Sequence, residues 1–444
     1  MLILNGTLLA FTSEQPLVPR GALRIQGDRI TDVGPTSTLA ARYPEDREVL
    51  DAEGHLVLPG MVCAHTHFYG AFARGMALSG PAPRDFPQIL ERLWWRLDRA
   101  LTLEDIQASA EVCLADAIRH GVTTLFDHHA SPHAVEGSLE AIAEAARRAG
   151  VRVCLCYEVS DRDGPEVVSQ ALSETGHFVR AAQRERDSLV AGMVGLHASM
   201  TLSDSTLERA ASLARDLEVG CHVHVAESQA DQRDCLKRTG VRVVERLHRS
   251  GILGPLGIAA HCVHVDGYEV DLLRETGVLV AHNPRSNMNN AVGTAPVPSM
   301  LRRGVQVGLG NDGFSNNLFV EMHAAYLVHR LATGDPQALP ADQVLGLVYG
   351  ANARLAERYF PGPLGRLAPG ALADVITVRY HPTTPLHEGN YPWHLIFGVD
   401  GTDVRTTIVG GRVLMRDGEL LTLDEARITA RSRELAKRLW ERLA

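Results

Sequence analysis

The sequence predicts an α/β protein whose centre is a (β/α)8, TIM-type, barrel over residues 58–363. A small β-sandwich assembled from residues 1–57 and 364–444 accompanies it. Two observations predict this. Eight short apolar segments in the middle of the chain alternate with helical patterns, and β-rich stretches stand at both ends. A third observation sharpens it: nearly every central apolar segment finishes on residues able to do chemistry, as barrel strands do at their C-terminal ends.

In chain order, LILNGTLLAF, GALRIQGDRITDVG and EGHLVLPG read as short strands divided by turns. The eight central strands are then LVLPGMVCAHTH, VTTLFDHH, VRVCLCYEVS, LVAGMVGLHAS, VGCHVHVAE, GIAAHCVHVD, VLVAHNPRS and VQVGLGNDG. Their near-continuous apolar character suits a parallel sheet covered on both faces. LEDIQASAEVCLADAIRHG and VEGSLEAIAEAARRAG between them read as helices, the second closed by Gly150 as a C-cap. An open doubly wound sheet is the competing architecture, but no GxGxxG or GxxxxGK[ST] follows an early strand. GALADVITVRY and VRTTIVGGRVLMRDGELL return to β pattern, and LDEARITARSRELAKRLWERLA is a charged amphipathic helix grouped with the small unit.

Composition excludes several classes. With 444 residues, 45% hydrophobic and 22% charged, the chain is that of an ordinary globular protein larger than one minimal core. The formal charge of -9 argues against nucleic acid or anionic membrane as partner. The seven cysteines are scattered through apolar runs without a CxxC pair, so they read as core filling. MLILNGTLLAFTSEQP lacks a basic leader and no run approaches a bilayer's span, so a cytoplasmic protein is expected.

His65 and His67 flank Thr66 behind an apolar run, so on a strand they share one face. Two imidazoles on a buried face are costly unless something satisfies them. Zinc and related metals take imidazole nitrogens and carboxylate oxygens. CHVHVAES offers His224, with Glu227 three residues on, and GLGNDG offers Asp312, a carboxylate able to touch both metal and water. A lone buried histidine is more often a hydrogen-bonded core residue than a ligand. His222, two residues deeper than His224, reads as a packing neighbour, and His264 and His282 as ordinary polar residues. For substrate, His197, Glu158, His128, His129 and Arg74 stand where a ligand would be read, and RDFPQILERLWWRLD is placed to act as a lid. Competing with this, Trp94 and Trp95 read equally as packing residues and Asp127 as a strand-end cap. Asn283, Arg285 and Asn287 of HNPRSN suit loop ordering as well as substrate contact.

Taken together, HTHF after LPG, HVHVAES, AHCVH, HNPRSN and GLGNDGFSNN, in this order, resemble the amidohydrolase superfamily in its deaminase-type (ATZ/TRZ, cytosine deaminase-like) branch. HTHFYGAFARGM, HHASPHAVEGSL and HNPRSNMNNAVG resemble the SsnA aminohydrolase group within it. The resemblance covers nearly the whole chain. It implies His65, His67, His224 and Asp312 as ligands of one divalent metal per subunit, Zn2+ first and Fe2+ second. It makes Glu227 and His261 proton-handling residues beside a metal-activated water, with Asp312 as acceptor of that water's proton. Many binuclear relatives bridge two metals through a carbamylated lysine on the fourth strand. LVAGMVGLHAS has none, and the first lysine in the chain is Lys237, so one metal is expected. The implied activity is hydrolytic deamination of a nitrogen-rich heterocycle or a related amidine or guanidine-type compound. Cyclic-amide or carbon–halogen hydrolysis at the same site is the alternative, and a metal-binding protein without catalysis a third reading. The expected assembly is a homodimer or larger homo-oligomer acting on a small molecule.

Overall fold

The computed structural model describes residues 1–78 and 80–443. The N-terminal strands are β1 (Leu2–Leu9), β2 (Leu17–Gln26), β3 (Arg29–Pro35), β4 (Val49–Asp51) and β5 (Leu56–Pro59). Then come β6 (Met61–Thr66), β7 (Val122–His129), β8 (Arg152–Val159), β9 (Val190–Gly192), β10 (Val194–Ala198), β11 (Cys221–Val225), β12 (Ile258–His261), β13 (Leu279–His282) and β14 (Val307–Leu309). β15 (Val375–Val378), β16 (Val404–Val409), β17 (Arg412–Arg416) and β18 (Glu419–Leu420) finish the set.

Strands β6, β7, β8 and β10 to β14 pair in parallel, each with its neighbour in chain order, with short β9 beside β8. The eight predicted strands are all there, and they curl into a nearly closed barrel. Closure falls at the rim, where Thr66 bridges Asp312 and the amides of Asn311 and Asp312 donate to the His65 carbonyl at 3.0 and 3.1 Å. Gly310 makes that approach possible: a Cβ there would lie 2.4 Å from Asn283 Oδ1 and 2.8 Å from His65 Cβ. The two ends of the sheet are thereby stitched together at the residues expected to hold metal.

Val62, Phe126, Cys154, Ile258, Leu279 and Phe360 belong to one buried cluster. Side chains from five of the parallel strands meet this way only by pointing inward. A larger cluster lies between the strands and the surrounding helices, including Leu103–Arg119 and Ser138–Ala149. The first helix opens with a Thr102/Asp105 capping box, and the second ends at Gly150 with φ of 82°, the left-handed cap expected. Burying each fully apolar side chain in these layers stabilises by roughly 1.5–3 kcal/mol before chain entropy is counted.

The terminal strands form a separate mixed sheet in the order β18-β17-β16-β15-β5-β1-β2-β3, with β4 pairing β1. Its own core includes Ile3, Leu23, Ile30, Val57, Val375 and Ile408. The run LVLPGMVCAHTH, expected as one strand, divides at Gly60. Leu56–Pro59 pairs antiparallel with β15 in the terminal sheet, while Met61–Thr66 enters the barrel. Gly60 thus stands between a terminal-sheet pairing and a barrel pairing. The final helix (Glu425–Leu443), grouped by sequence with the small unit, lies on barrel helices. Trp440 Nε1 donates to the Phe72 carbonyl at 2.8 Å, Arg119 pairs with Glu425, and Arg442 pairs with Asp105.

The segment read as a lid, taken over 75–100 and including Ser79 outside the described residues, folds as consecutive helical turns. These are Phe86–Ile89, Leu90–Trp94 and Trp95–Ala100. Asp85 caps the first by accepting from Gln88 N at 3.0 Å. The turns lie across the barrel mouth, where Trp94 meets Gly70 and Gly313 closely enough that a Cβ at either would touch its ring.

Candidate active site

A cavity of about 600 Å³ opens at the C-terminal ends of the barrel strands. That lies within the range, roughly 300–1,000 Å³, that encloses small ligands. Its outer wall is apolar and aromatic, from Phe86, Leu90, Trp94 and Phe314. His67, His224, Glu227 and Asp312 stand on the inner wall.

The histidine tautomers follow from their partners. His67 Nδ1 lies 2.6 Å from the His128 carbonyl and His224 Nδ1 lies 2.9 Å from the His197 carbonyl. A carbonyl only accepts, so both Nδ1 atoms carry hydrogen and both Nε2 atoms present lone pairs. Those lone pairs face each other at 3.2 Å, and His67 Nε2 also stands 3.2 Å from Asp312 Oδ1. His65 Nδ1 meets His222 Nε2 at 2.8 Å, leaving its fully buried Nε2 without a partner 3.9 Å from Asp312 Oδ1. His222 is thus more than a packing neighbour: it fixes the His65 ring. Burial, then mutual repulsion among the rings, holds His65 and His224 well below the usual imidazole range, so they are neutral at pH 7.

Converging acceptors with no donor among them are costly unless a cation joins them. Nitrogens at about 2.0–2.1 Å from a tetrahedral zinc stand about 3.3 Å apart, close to the spacing here. His65, His67 and His224 bring candidate ligand atoms within 4.8 Å of one another, and Asp312 Oδ1 stands 3.2 Å from His67 Nε2. The donor set therefore fits a divalent ion on geometry and on tautomer.

His261 is arranged oppositely. Asn287 Nδ2 donates to its Nδ1 at 2.9 Å, so the hydrogen sits on Nε2. Nε2 has no hydrogen-bond partner and points between Glu227 Oε2 at 3.6 Å and Asp312 Oδ2 at 3.8 Å. Burial lowers the ring to about 4 against the opposing pull of Asp312. Glu227 is driven well above the usual carboxyl range, chiefly by burial and next by Asp312, although Asn290 Nδ2 donates to Oε1 at 3.4 Å. Asp312 Oδ2 accepts from Ser286 Oγ at 2.5 Å. Both His261 and Asp312 have positive φ, 72° and 55°, an uncommon backbone for residues with a Cβ and one that concentrates at functional sites.

The substrate candidates divide. Glu158 and His197 line the cavity, and exposed Arg74 stands at its rim. His128 lies behind, its Nε2 on the carbonyls of Leu196 and His222 at 3.1 and 3.2 Å, and His129 bonds Ser131 Oγ at 2.9 Å. Burial raises the Glu158 carboxyl, but His197, His128 and Arg162 more than reverse it and hold it well below its ordinary range. Asp127 accepts from Phe68 N at 2.7 Å, tying down the loop after His67, and burial raises its pKa to about 7. Arg285 serves loop order, pairing with Glu321 at 2.6 Å and the Ser315 carbonyl at 2.7 Å. His264 Nε2 donates to the Val292 carbonyl at 2.7 Å, and His282 meets His329 at 3.1 Å; neither lines the cavity.

Ser286 and Asn290, which hold Asp312 and Glu227, were not singled out from sequence. Their signal was weak: they lie one helical turn apart on the segment beginning at HNPRSN, on the face shared with Asn283 and Asn287 only after folding. Asp98 and Arg162 were also missed. They pair at 2.7 Å, and the guanidinium lies 5.1 Å over Trp95.

Compared with known proteins, residues 56–414 match the amidohydrolase family, and residues 21–45 match a bacterial imidazolonepropionase-like composite domain. A 5'-deoxyadenosine deaminase of Methanosarcina mazei is 35% identical, over 100% of this chain and 99% of that protein. A 5-methylthioadenosine/S-adenosylhomocysteine deaminase of Syntrophobacter fumaroxidans is 34% identical over 98% of each. An adenosine deaminase structure from Xanthomonas campestris, with bound zinc, shares the fold with a TM-score of 0.88 at 24% identity, covering 99% of this chain and 98% of that one. These relatives carry adenosine-type deaminase names. On the breadth of the family match and the full-length identity, this chain belongs to the amidohydrolase family.

Proposed function

We propose that this protein is a metal-dependent aminohydrolase that replaces an exocyclic amino group of a nitrogen-rich heterocycle, or a related amidine, with oxygen from water. The observation that carries this is the convergence of His67, His224, Glu227 and Asp312 on the inner wall of one cavity, with His65 and His261 against them. The adenosine-type deaminase names of its full-length relatives support the same reaction. In this reading His65, His67, His224 and Asp312 hold one divalent ion, zinc first and iron second. When bound, such an ion supplies Lewis acidity and makes water a nucleophile near neutral pH.

The chain's own groups do the rest. Asp312 accepts the proton that the attacking water loses, with Ser286 holding its Oδ2 in place. Glu227 donates its proton to a ring nitrogen of the substrate, making the adjacent carbon electrophilic; the proton on Asp312 then passes to the departing amine, and the hydroxyl proton lost as the carbonyl forms restores Glu227. His261 keeps its Nε2–H aimed at the reacting centre and stabilises negative charge that develops there. A cation nearby favours the ionised carboxylate, so Glu227 works as an acid while burial opposes that effect.

Ammonia release from zinc-loaded protein over a panel of aminoheterocycles, beginning with 5'-deoxyadenosine, tests the reaction. Replacement of NH2 by OH adds about one mass unit, whereas simple ring hydrolysis adds about eighteen. The second outcome would favour cyclic-amide hydrolysis instead. Glu227→Gln keeps the cation's donors and is expected to lower turnover by about 10²–10⁴ with metal retained. Unchanged turnover would remove Glu227 from the mechanism.

A further inference from the structure

We infer that Glu158 is a specificity-determining residue: its carboxylate receives hydrogen-bond donors from the substrate, ring N–H or sugar O–H, and the inner cavity rejects compounds that bring an anionic group there. This rests on the aminohydrolase reading of the same cavity.

The side chain of Glu158 stands at the end of β8, lines the cavity and is only 4% exposed. A buried carboxylate normally collects several donors, because losing water without them is costly. Glu158 does not. Arg162 Nη2 is 3.8 Å from Oε1, outside hydrogen-bond range, and it is already engaged by Asp98 at 2.7 Å. His128 Nδ1 lies 3.3 Å from Oε2, and its Nε2 faces the carbonyls of Leu196 and His222. Among the described residues, none donates a hydrogen bond to Oε1. The carboxylate thus stands in the cavity wall with acceptor capacity left unfilled. A ligand entering from the open side can fill it.

The same wall sets the second half of the inference. Of the carboxyl groups lining the cavity, Asp98 is paired with Arg162 at 2.7 Å and Glu227 serves as the acid, while Arg74 is exposed at the rim. An anionic substituent driven past Arg74 to Glu158 meets a carboxylate and brings it no donor. Neutral or cationic donors meet acceptors.

Ring N–H and sugar O–H are alternative sources of the same chemistry, and paired analogues separate them. Zinc-loaded Glu227→Gln protein, with and without Glu158→Gln, is titrated calorimetrically with adenosine, 2',3'-dideoxyadenosine, guanine and 1-methylguanine. Binding without turnover is the readout. Glu158→Gln is expected to weaken the donor-bearing member of one pair by about 30-fold and its donor-deleted partner by no more than about threefold. Coupling in the adenosine pair assigns sugar O–H, and coupling in the guanine pair assigns ring N–H. AMP should bind far more weakly than adenosine. Equal weakening across both pairs, no weakening, no binding of either parent compound, or AMP binding as tightly as adenosine would each overturn the inference. Failure of the wild-type protein to release ammonia, with the coupling intact, would overturn deamination and leave the role of Glu158 standing.

Discussion

His67 Nε2 and His224 Nε2 face each other at 3.2 Å, and each ring's other nitrogen is committed as a donor to a backbone carbonyl. Neither ring can turn its hydrogen toward the other without giving up that bond. Two opposed lone pairs in a buried site are an arrangement that a shared cation stabilises and an empty site does not. Purified protein is therefore expected to carry about one equivalent of zinc or iron. His67→Ala should lose the ion and a chelator should lower the melting temperature, because an ion that binds only the folded chain stabilises it by mass action. Full metal content in His67→Ala would defeat the assignment.

The Asn287–His261 contact yields a sharper test, because the direction of one hydrogen bond decides what the imidazole can do. Asn287 Nδ2 donates at 2.9 Å, which places the ring hydrogen on Nε2 facing Glu227 and Asp312. Asn287→Asp reverses that bond: the carboxylate accepts from Nδ1–H and turns a lone pair toward two other carboxyl groups. Turnover should fall by about 10²–10⁴ with metal retained, and further than in Asn287→Ala, where the tautomer is merely unbiased. A milder loss in Asn287→Asp than in Asn287→Ala would show that the tautomer is not what Asn287 controls.

The legible part of this protein is the part written in local pattern. Apolar runs ending on polar residues located all eight barrel strands, and the Gly150 stop was visible because a left-handed cap has a residue signature. The division at Gly60 was not visible: Leu58 to Ala64 is apolar throughout, and only pairing with Val375 and Val122 on different sheets separates its halves. Likewise, His222 looks like any buried histidine until His65 is placed beside it. Asp98 and Arg162 are separated by most of two barrel repeats, and no local pattern couples them. Residue type and strand position could be read, but hydrogen-bond partners and tautomers required the fold.

Acid stability is expected to depend on His129. Its ring is fully buried, contacts Ser131 Oγ at 2.9 Å, and is lowered to about 3, chiefly by burial, with Glu158 pulling the other way. The folded protein keeps this ring neutral, while the unfolded chain protonates it below about pH 6.5. Unfolding therefore takes up a proton, and stability falls as pH drops from about 6.5 toward 3. In His129→Gln this contribution disappears, and the slope of stability against pH should become shallower by up to about 1.4 kcal/mol per pH unit. Urea titrations of both proteins at pH 7, 6 and 5 measure it. Parallel slopes would mean that the ring is protonated in the folded state.

The last expectation concerns the join between barrel and terminal sheet. Arg152 opens β8 and Asp374 immediately precedes β15, and the two side chains form an ion pair with each only 2% exposed. The pair is well supplied with further bonds: Arg152 Nε donates to the Ser188 carbonyl at 3.1 Å, and Gly410 N donates to Asp374 Oδ1 at 2.9 Å. Replacing both partners by apolar residues of similar size need cost little, because desolvation offsets much of the attraction. Removing one charge is different, since the other is stranded beneath two sheets. Asp374→Asn should therefore destabilise the protein by about 3–5 kcal/mol, and Arg152→Met with Asp374→Leu by much less than either change alone. Because the pair lies away from the cavity lining, the metal content of folded Asp374→Asn should match wild type. Additive losses in the double variant would show that the two charges do not act as a pair.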